Sequence, residues 1–231
     1  MSGKRRNRKS KAKKAGKTNV KSGALPVEIV VVLDRSGSMA SRLEDAKGGF
    51  DHLIAEQKKL GGDCRVTLAQ FDHEYELVYQ SKPIDEVPPL ELVPRGTTAL
   101  LDAVGRTILT TRGSVEKEGG RKVIFVIITD GVENASSEFN GAVIKQLVES
   151  QKDWDFMYMG ANVDAFAEAG TLGISQNQTF QVGNDPDSMT QMIFTLNDCI
   201  ASIRAEEPGD KVQMEVLDKE GKVKFKKKGH C

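Results

Sequence analysis

Val27-Glu28-Ile29-Val30-Val31-Val32-Leu33-Asp34-Arg35-Ser36-Gly37-Ser38 sets the frame for the whole chain. Its first part is β-branched, nearly all apolar and of strand length. A run without a polar face fits a central strand covered on both sides. It breaks abruptly into an acid and two serines around a glycine. A second wholly apolar run, residues 123–128, breaks in the same way into Thr129-Asp130-Gly131.

Between and beyond these runs the periodicity switches repeatedly. Leu43, Ala46, Phe50, Leu53, Ile54, Gln57 and Leu60 recur in steps of three and four, which predicts a helix stopped by Gly61-Gly62. Residues 64–71 alternate with period two. Tyr75, Leu77 and Tyr79 alternate again across the short link Asp72-His73-Glu74, so a hairpin and one antiparallel pair are expected. The segment 83–96, with Pro83, Pro88, Pro89 and Pro94, reads as a loop. Leu100, Leu101, Val104, Ile108 and Leu109 mark a helix. Further elements are expected as a helix at 138–150, a strand at 154–159, a helix near 163–169, a strand near 178–182 and a helix near 187–204. Alternating strands and helices around two apolar strands predict an α/β fold, with a mostly parallel sheet between helices.

Charge divides the chain differently. The 231 residues hold 33 Lys+Arg and 33 Asp+Glu. Residues 1–22 carry ten basic residues and no acid, and residues 211–231 carry seven basic and three acidic. That leaves sixteen basic against thirty acidic in 23–210, an acidic body with basic ends. The first 22 residues lack the apolar surface needed to offset ordering entropy and read as a disordered arm. The domain is expected at 23–207. In the tail at 208–231, Val212, Met214 and Val216 alternate, Asp218-Lys219-Glu220-Gly221 supplies a turn, and Val223 and Phe225 alternate again. This is either a hairpin or an unpaired tail. No apolar run approaches the roughly 20 residues of a membrane-spanning helix, and the first residues lack the apolar stretch expected of a secretory signal. Cys64, Cys199 and Cys231 form neither a disulfide framework nor a zinc-spaced pair, and a cytoplasmic location is expected.

Ligands of doubly wound sheets collect at the C-terminal ends of the parallel strands. Three loops there deliver oxygen ligands: Asp34, Ser36 and Ser38 after the first apolar strand, Thr97 and Thr98 after the proline-rich loop, and Asp130 after the second apolar strand. Carboxylates and hydroxyls without thiol or imidazole suit Mg²⁺ or Mn²⁺. Arg35 adds a positive charge that would favour an acidic partner. Helix capping is the competing reading for Asp34, Asp130 and Thr97.

Asp34-Arg35-Ser36-Gly37-Ser38-Met39 resembles the DxSxS loop of von Willebrand factor type A domains. Gly96-Thr97 resembles their second motif, and Ile128-Thr129-Asp130-Gly131 their third, over about residues 25–205. The resemblance is to an intracellular member of bacterial or phage kind. It implies a Rossmann-like doubly wound sheet with one antiparallel edge strand and helices on both faces. It also implies a metal-ion-dependent adhesion site of Asp34, Ser36, Ser38, Thr97 and Asp130, direct or through water. The doubled threonine leaves Thr97 or Thr98 open as the loop-two hydroxyl.

The function expected is a non-catalytic protein-binding module, with Mg²⁺ or Mn²⁺ holding an Asp or Glu of a protein partner. A metal-dependent phosphohydrolase is the enzymatic rival. Such chemistry usually wants a second acid two residues after the aspartyl nucleophile, where this chain has Ser36. A third reading is a nucleic-acid-associated or assembly protein whose basic arm holds phosphates without sequence preference.

Overall fold

The two apolar runs lie side by side in the middle of one sheet. The computed structural model describes residues 26–161, 164–183 and 188–205, together with the backbone of two strands at 211–215 and 224–228. The arm at 1–22 and both expected domain limits, 23 and 207, lie outside the described residues. The strands are β1 (Val27–Asp34), β2 (Cys64–Phe71), β3 (Tyr75–Pro83), β4 (Lys122–Thr129), β5 (Asp155–Gly160) and β6 (Thr179–Gln181). They form a six-stranded sheet in the order β3-β2-β1-β4-β5-β6. All pairs are parallel except β2–β3, so β3 is the antiparallel edge strand.

Among the described residues, five α-helices cover the sheet: α1 (Leu43–Lys59), α2 (Leu100–Lys117), α3 (Gly141–Ser150), α4 (Ala165–Thr171) and α5 (Ser188–Arg204). Strand alternation gives each face its own core. Ile29, Val31 and Leu33 of β1 pack with α1 and α5, while Val30 and Val32 pack with α2, α3 and α4. Because both faces are buried, β1 and β4 carry no alternation. This is the doubly wound, Rossmann-like arrangement expected. Cys64 and Cys199 are core residues, and burial pushes their thiols up to about 11 and about 12. No helix among the described residues is long and apolar enough to cross a membrane.

Element boundaries differ from expectation in two informative places. α2 runs on to Lys117, past the last apolar residue of the periodic set. α3 begins at Gly141 rather than 138, because the buried Asp102 carboxylate takes the amides of Ser137, Glu138 and Phe139 at 2.8–2.9 Å. Those amides are thereby held outside the helix, and the Asn140 side chain caps it by accepting the Val143 amide at 3.1 Å. In the tail, β7 (Lys211–Glu215) and β8 (Lys224–Lys228) pair antiparallel as a hairpin.

Candidate metal centre

The chain leaves β1 toward β2 on one side and returns to β4 on the other, so the loops after β1 and β4 splay apart over a crevice. Asp34 ends β1 inside that crevice, at 0% exposure. Its Oδ1 accepts the Ser36 amide at 2.6 Å, and its Oδ2 accepts the Thr129 hydroxyl at 2.5 Å. The hydroxyls of Ser36 and Ser38 share a hydrogen bond of 2.9 Å, and the Ser38 hydroxyl donates to Asp130 Oδ1 at 2.5 Å. The chain of oxygens thus runs from buried Ser36 to solvent-exposed Ser38, and the crevice opens to the outside there.

Loop two enters through the buried Thr98, at 3% exposure, whereas Thr97 is exposed. The gap between Thr98 and Asp34 is kept by Gly131. A Cβ on that residue would stand 2.5 Å from Thr98 Oγ1 and 3.1 Å from Asp34 Oδ2. The structure therefore brings Asp34, Ser36, Ser38 and Asp130 together with Thr98, while Thr97 is exposed and makes no side-chain hydrogen bond to them.

Capping does not account for these residues. The N-cap position of α2 is Ala99, and Ser36 heads the 3₁₀ turn Gly37–Arg42 without a side-chain cap. The free amides at the start of α2 are instead met across space. Leu101 donates to Glu133 at 2.9 Å and Asp102 to the Ser136 hydroxyl at 3.1 Å. Thr98 and Asn134 exchange two bonds, of 2.9 and 3.0 Å. Loops two and three are thus knitted by residues that no motif marks.

Arg35 departs from expectation. Only 8% exposed, its guanidinium is committed to the carboxylates of Asp72 (2.9 Å) and Glu76. Its charge is spent inside the molecule, so it offers nothing to a partner. His73 is half exposed, and its ring lies over Gly96, whose φ is +67. Sequence reasoning missed Asp72, Thr129, Glu133 and Asn134. A short Asp-His-Glu link between alternating strands is a signal for an Asx-turn, and the Glu74 amide does donate to Asp72 Oδ1 at 2.7 Å. The contacts across loops leave no local signal.

The electrostatics suit a cation. Burial raises the Asp34 carboxyl above the usual range despite the bonds from Thr129 and Ser36, and the neighbouring Asp130 raises it further. Asp130 is raised by burial too, against the opposing pull of Ser38 and Arg42. Two desolvated carboxylates beside three hydroxyls form an all-oxygen set of the kind a hard divalent ion takes. The Gly131 gap holds those groups apart instead of filling the space between them. By donor chemistry, the residues are of the kind that suits Mg²⁺ or Mn²⁺.

No protein-family model matches the chain, and no curated protein matches it. Solved structures do. A von Willebrand factor type A protein from Catenulispora acidiphila aligns at a TM-score of 0.61 and 17% identity, over 85% of this chain and 46% of its own. The vWF domain of the type V pili tip protein Mfa5 from Porphyromonas gingivalis aligns at 0.55 and 14%, over 77% and 97%. Proximal thread matrix protein 1 from the mussel byssus aligns at 0.59 and 16%, over 76% and 46%. The chain spans about half the length of that byssus protein. At these identities the shared property is the fold.

Proposed function

We propose that this chain, which has the von Willebrand factor type A fold, is a non-catalytic protein-binding module that holds a partner's Asp or Glu through a divalent cation. The ion, Mg²⁺ or Mn²⁺, is held by Asp34, Ser36, Ser38, Thr98 and Asp130, with Thr98 in place of the Thr97 that the motif resemblance implies. The observation that carries this is the convergence of five oxygen-bearing side chains from three loops around the gap at Gly131. Two carboxylates and neutral hydroxyls leave the ion able to take an outside carboxylate. The solvent-open end at Ser38 gives that group a way in. The fold neighbours add support, since one is a pili tip protein and another a thread matrix protein.

A phosphohydrolase reading fits less well. Ser36 stands where a second acid would be wanted. The test is selection from displayed random peptides in Mg²⁺ and again in EDTA, alongside a screen for phosphatase activity. Asp- or Glu-containing peptides enriched only in Mg²⁺ support the module. Enrichment indifferent to chelation, or hydrolysis lost in Asp34→Ala, contradicts it.

A second reading has its own observation. The β7–β8 pairing brings Lys211, Lys224, Lys226 and Lys228 into one two-stranded unit, with Glu215 paired to Lys224. Together with the basic arm, this two-stranded unit would add nonspecific contact with nucleic-acid phosphates. Affinity for duplex DNA or single-stranded RNA should then fall steeply with salt, and should fall further when the four lysines become alanine.

A further inference from the structure

The link between β2 and β3 carries a buried acid that the ion reading leaves unused. Asp72 is completely buried, and its Oδ2 accepts one guanidinium from each of two site loops. Arg35 Nε, from the loop after β1, lies at 2.9 Å, and Arg95 Nε, from the loop before α2, lies at 2.8 Å. Closing the turn needs only Oδ1, which holds the Glu74 amide. The second oxygen therefore serves the other two loops.

The main chain runs along the same path. Arg35 N–H donates to Phe71 at 2.7 Å, Arg95 N–H to the Arg35 carbonyl at 2.8 Å, Gly37 N–H to Gly96 at 3.2 Å and Ala99 N–H to the Asp72 carbonyl at 2.8 Å. Burial acts to raise the Asp72 carboxyl, but Arg95, the Glu74 amide and Arg35 together hold it below the usual carboxylate range. Asp72, His73 and Glu74 also offer ligand atoms within 4.8 Å of one another. A metal there would have to displace guanidiniums from Asp72 and from Glu74, so this group is better suited to a clamp than to a second ion.

We propose that Asp72 is the positioning residue of the ion site. By gripping Arg35 and Arg95 it fixes the Ser36–Ser38 loop against the Thr98 loop before any ion arrives. This rests on the ion reading above for its consequence, but not for the clamp itself. Ordering two loops in advance removes an entropy cost from ion binding, and supporting contacts of this kind change metal affinity by about 10–100-fold.

The test uses the full chain with Asp72→Asn and Arg95→Ala. The second variant is the safer one, because Arg95 is half exposed. Amide exchange is read in EDTA at Gly37 and at position 95, each relative to its unprotected rate, with β4 as the internal reference, and Mn²⁺ affinity is read by calorimetry. The clamp predicts exchange at least about tenfold faster at those two amides, unchanged protection in β4, and about 10-fold weaker Mn²⁺ binding. Arg95→Lys should recover part of both effects. Wild-type exchange at both amides in both variants overturns the clamp, and Mn²⁺ affinity within twofold of wild type overturns its role at the ion site. Because exchange is measured without metal, a wild-type protein that takes up no Mn²⁺ overturns the ion reading, while loosened loops in the variants still uphold the clamp.

Discussion

Strand β1 carries a buried carboxylate near each end, Glu28 and Asp34, at 1% and 0% exposure. Both fall on the strand face that packs with α2, and burial raises both carboxyls above the usual range. Their surroundings differ in kind. Glu28 accepts the Thr67 hydroxyl at 2.6 Å, from β2, and the Ser81 hydroxyl at 2.9 Å, from β3. Ser81 holds a φ of 47, an uncommon backbone state for a residue with a side chain, and its amide bonds the same Thr67 hydroxyl. This acid is sealed by neighbours in regular structure. Asp34 faces a second carboxylate, a chain of hydroxyls and an opening to solvent. Burial is common to both ends, so burial does not make a site. The meeting of three loops around a gap does.

The largest test of that contrast is a pair of substitutions. Asp34→Ala should abolish Mn²⁺ binding, a loss beyond the roughly 100-fold that a supporting residue would cost. Glu28→Gln should leave Mn²⁺ affinity within about twofold, since its partners lie at the far end of the strand. Titration calorimetry on both variants checks the pair, and equal losses would erase the distinction.

The next effect is pH dependence. For both acids the folded protein holds the proton more tightly than the unfolded chain. Their protonation therefore contributes stability that is fully present below the unfolded carboxylate range and is lost as pH rises through the raised folded value. A divalent ion should offset this loss at Asp34 and Asp130 alone. The rise in thermal midpoint caused by Mg²⁺ should thus be clear at neutral pH and vanish in acid, where protons compete for the same oxygens. Glu28→Gln should flatten the pH dependence measured in EDTA without removing the Mg²⁺ effect.

A smaller change is expected from Gly131→Ala. Its methyl would press on Thr98 and Asp34, costing about 1–3 kcal/mol as overpacking and weakening Mn²⁺ about tenfold. The smallest separates the two threonines. Thr98→Val should weaken Mn²⁺ severalfold, because a neutral ligand is replaced more easily by water than a charged one, whereas Thr97→Val should leave it unchanged. The reverse pattern would return the ligand to Thr97.

The frame of this contrast is legible in the sequence. Apolar runs without alternation mark β1 and β4 as central, and the polar residues just after each run are Asp34, Ser36, Ser38 and Asp130. The threonine register is not legible. Whether Thr97 or Thr98 turns inward depends on the bonds Thr98 makes to Asn134, which is distant in sequence. The fate of the Arg35 charge is hidden too, because the acid that takes it, Asp72, lies far along the chain. The start of α3 is obscured for the same reason, since Asp102 claims the amides of a loop that the periodicity alone assigns to a helix. Local patterns specify elements and the order of the oxygen-bearing loop residues, while the contacts that set the register between loops are made only on folding.

The central claim is that this loop edge holds a divalent ion. Its most direct test is titration of Mn²⁺ into the metal-stripped full chain and into Asp34→Ala at neutral pH. One saturable site in the wild type, displaced by Mg²⁺ and absent from the variant, is the result predicted. No uptake by the wild type, or uptake unchanged by Asp34→Ala, would contradict the account.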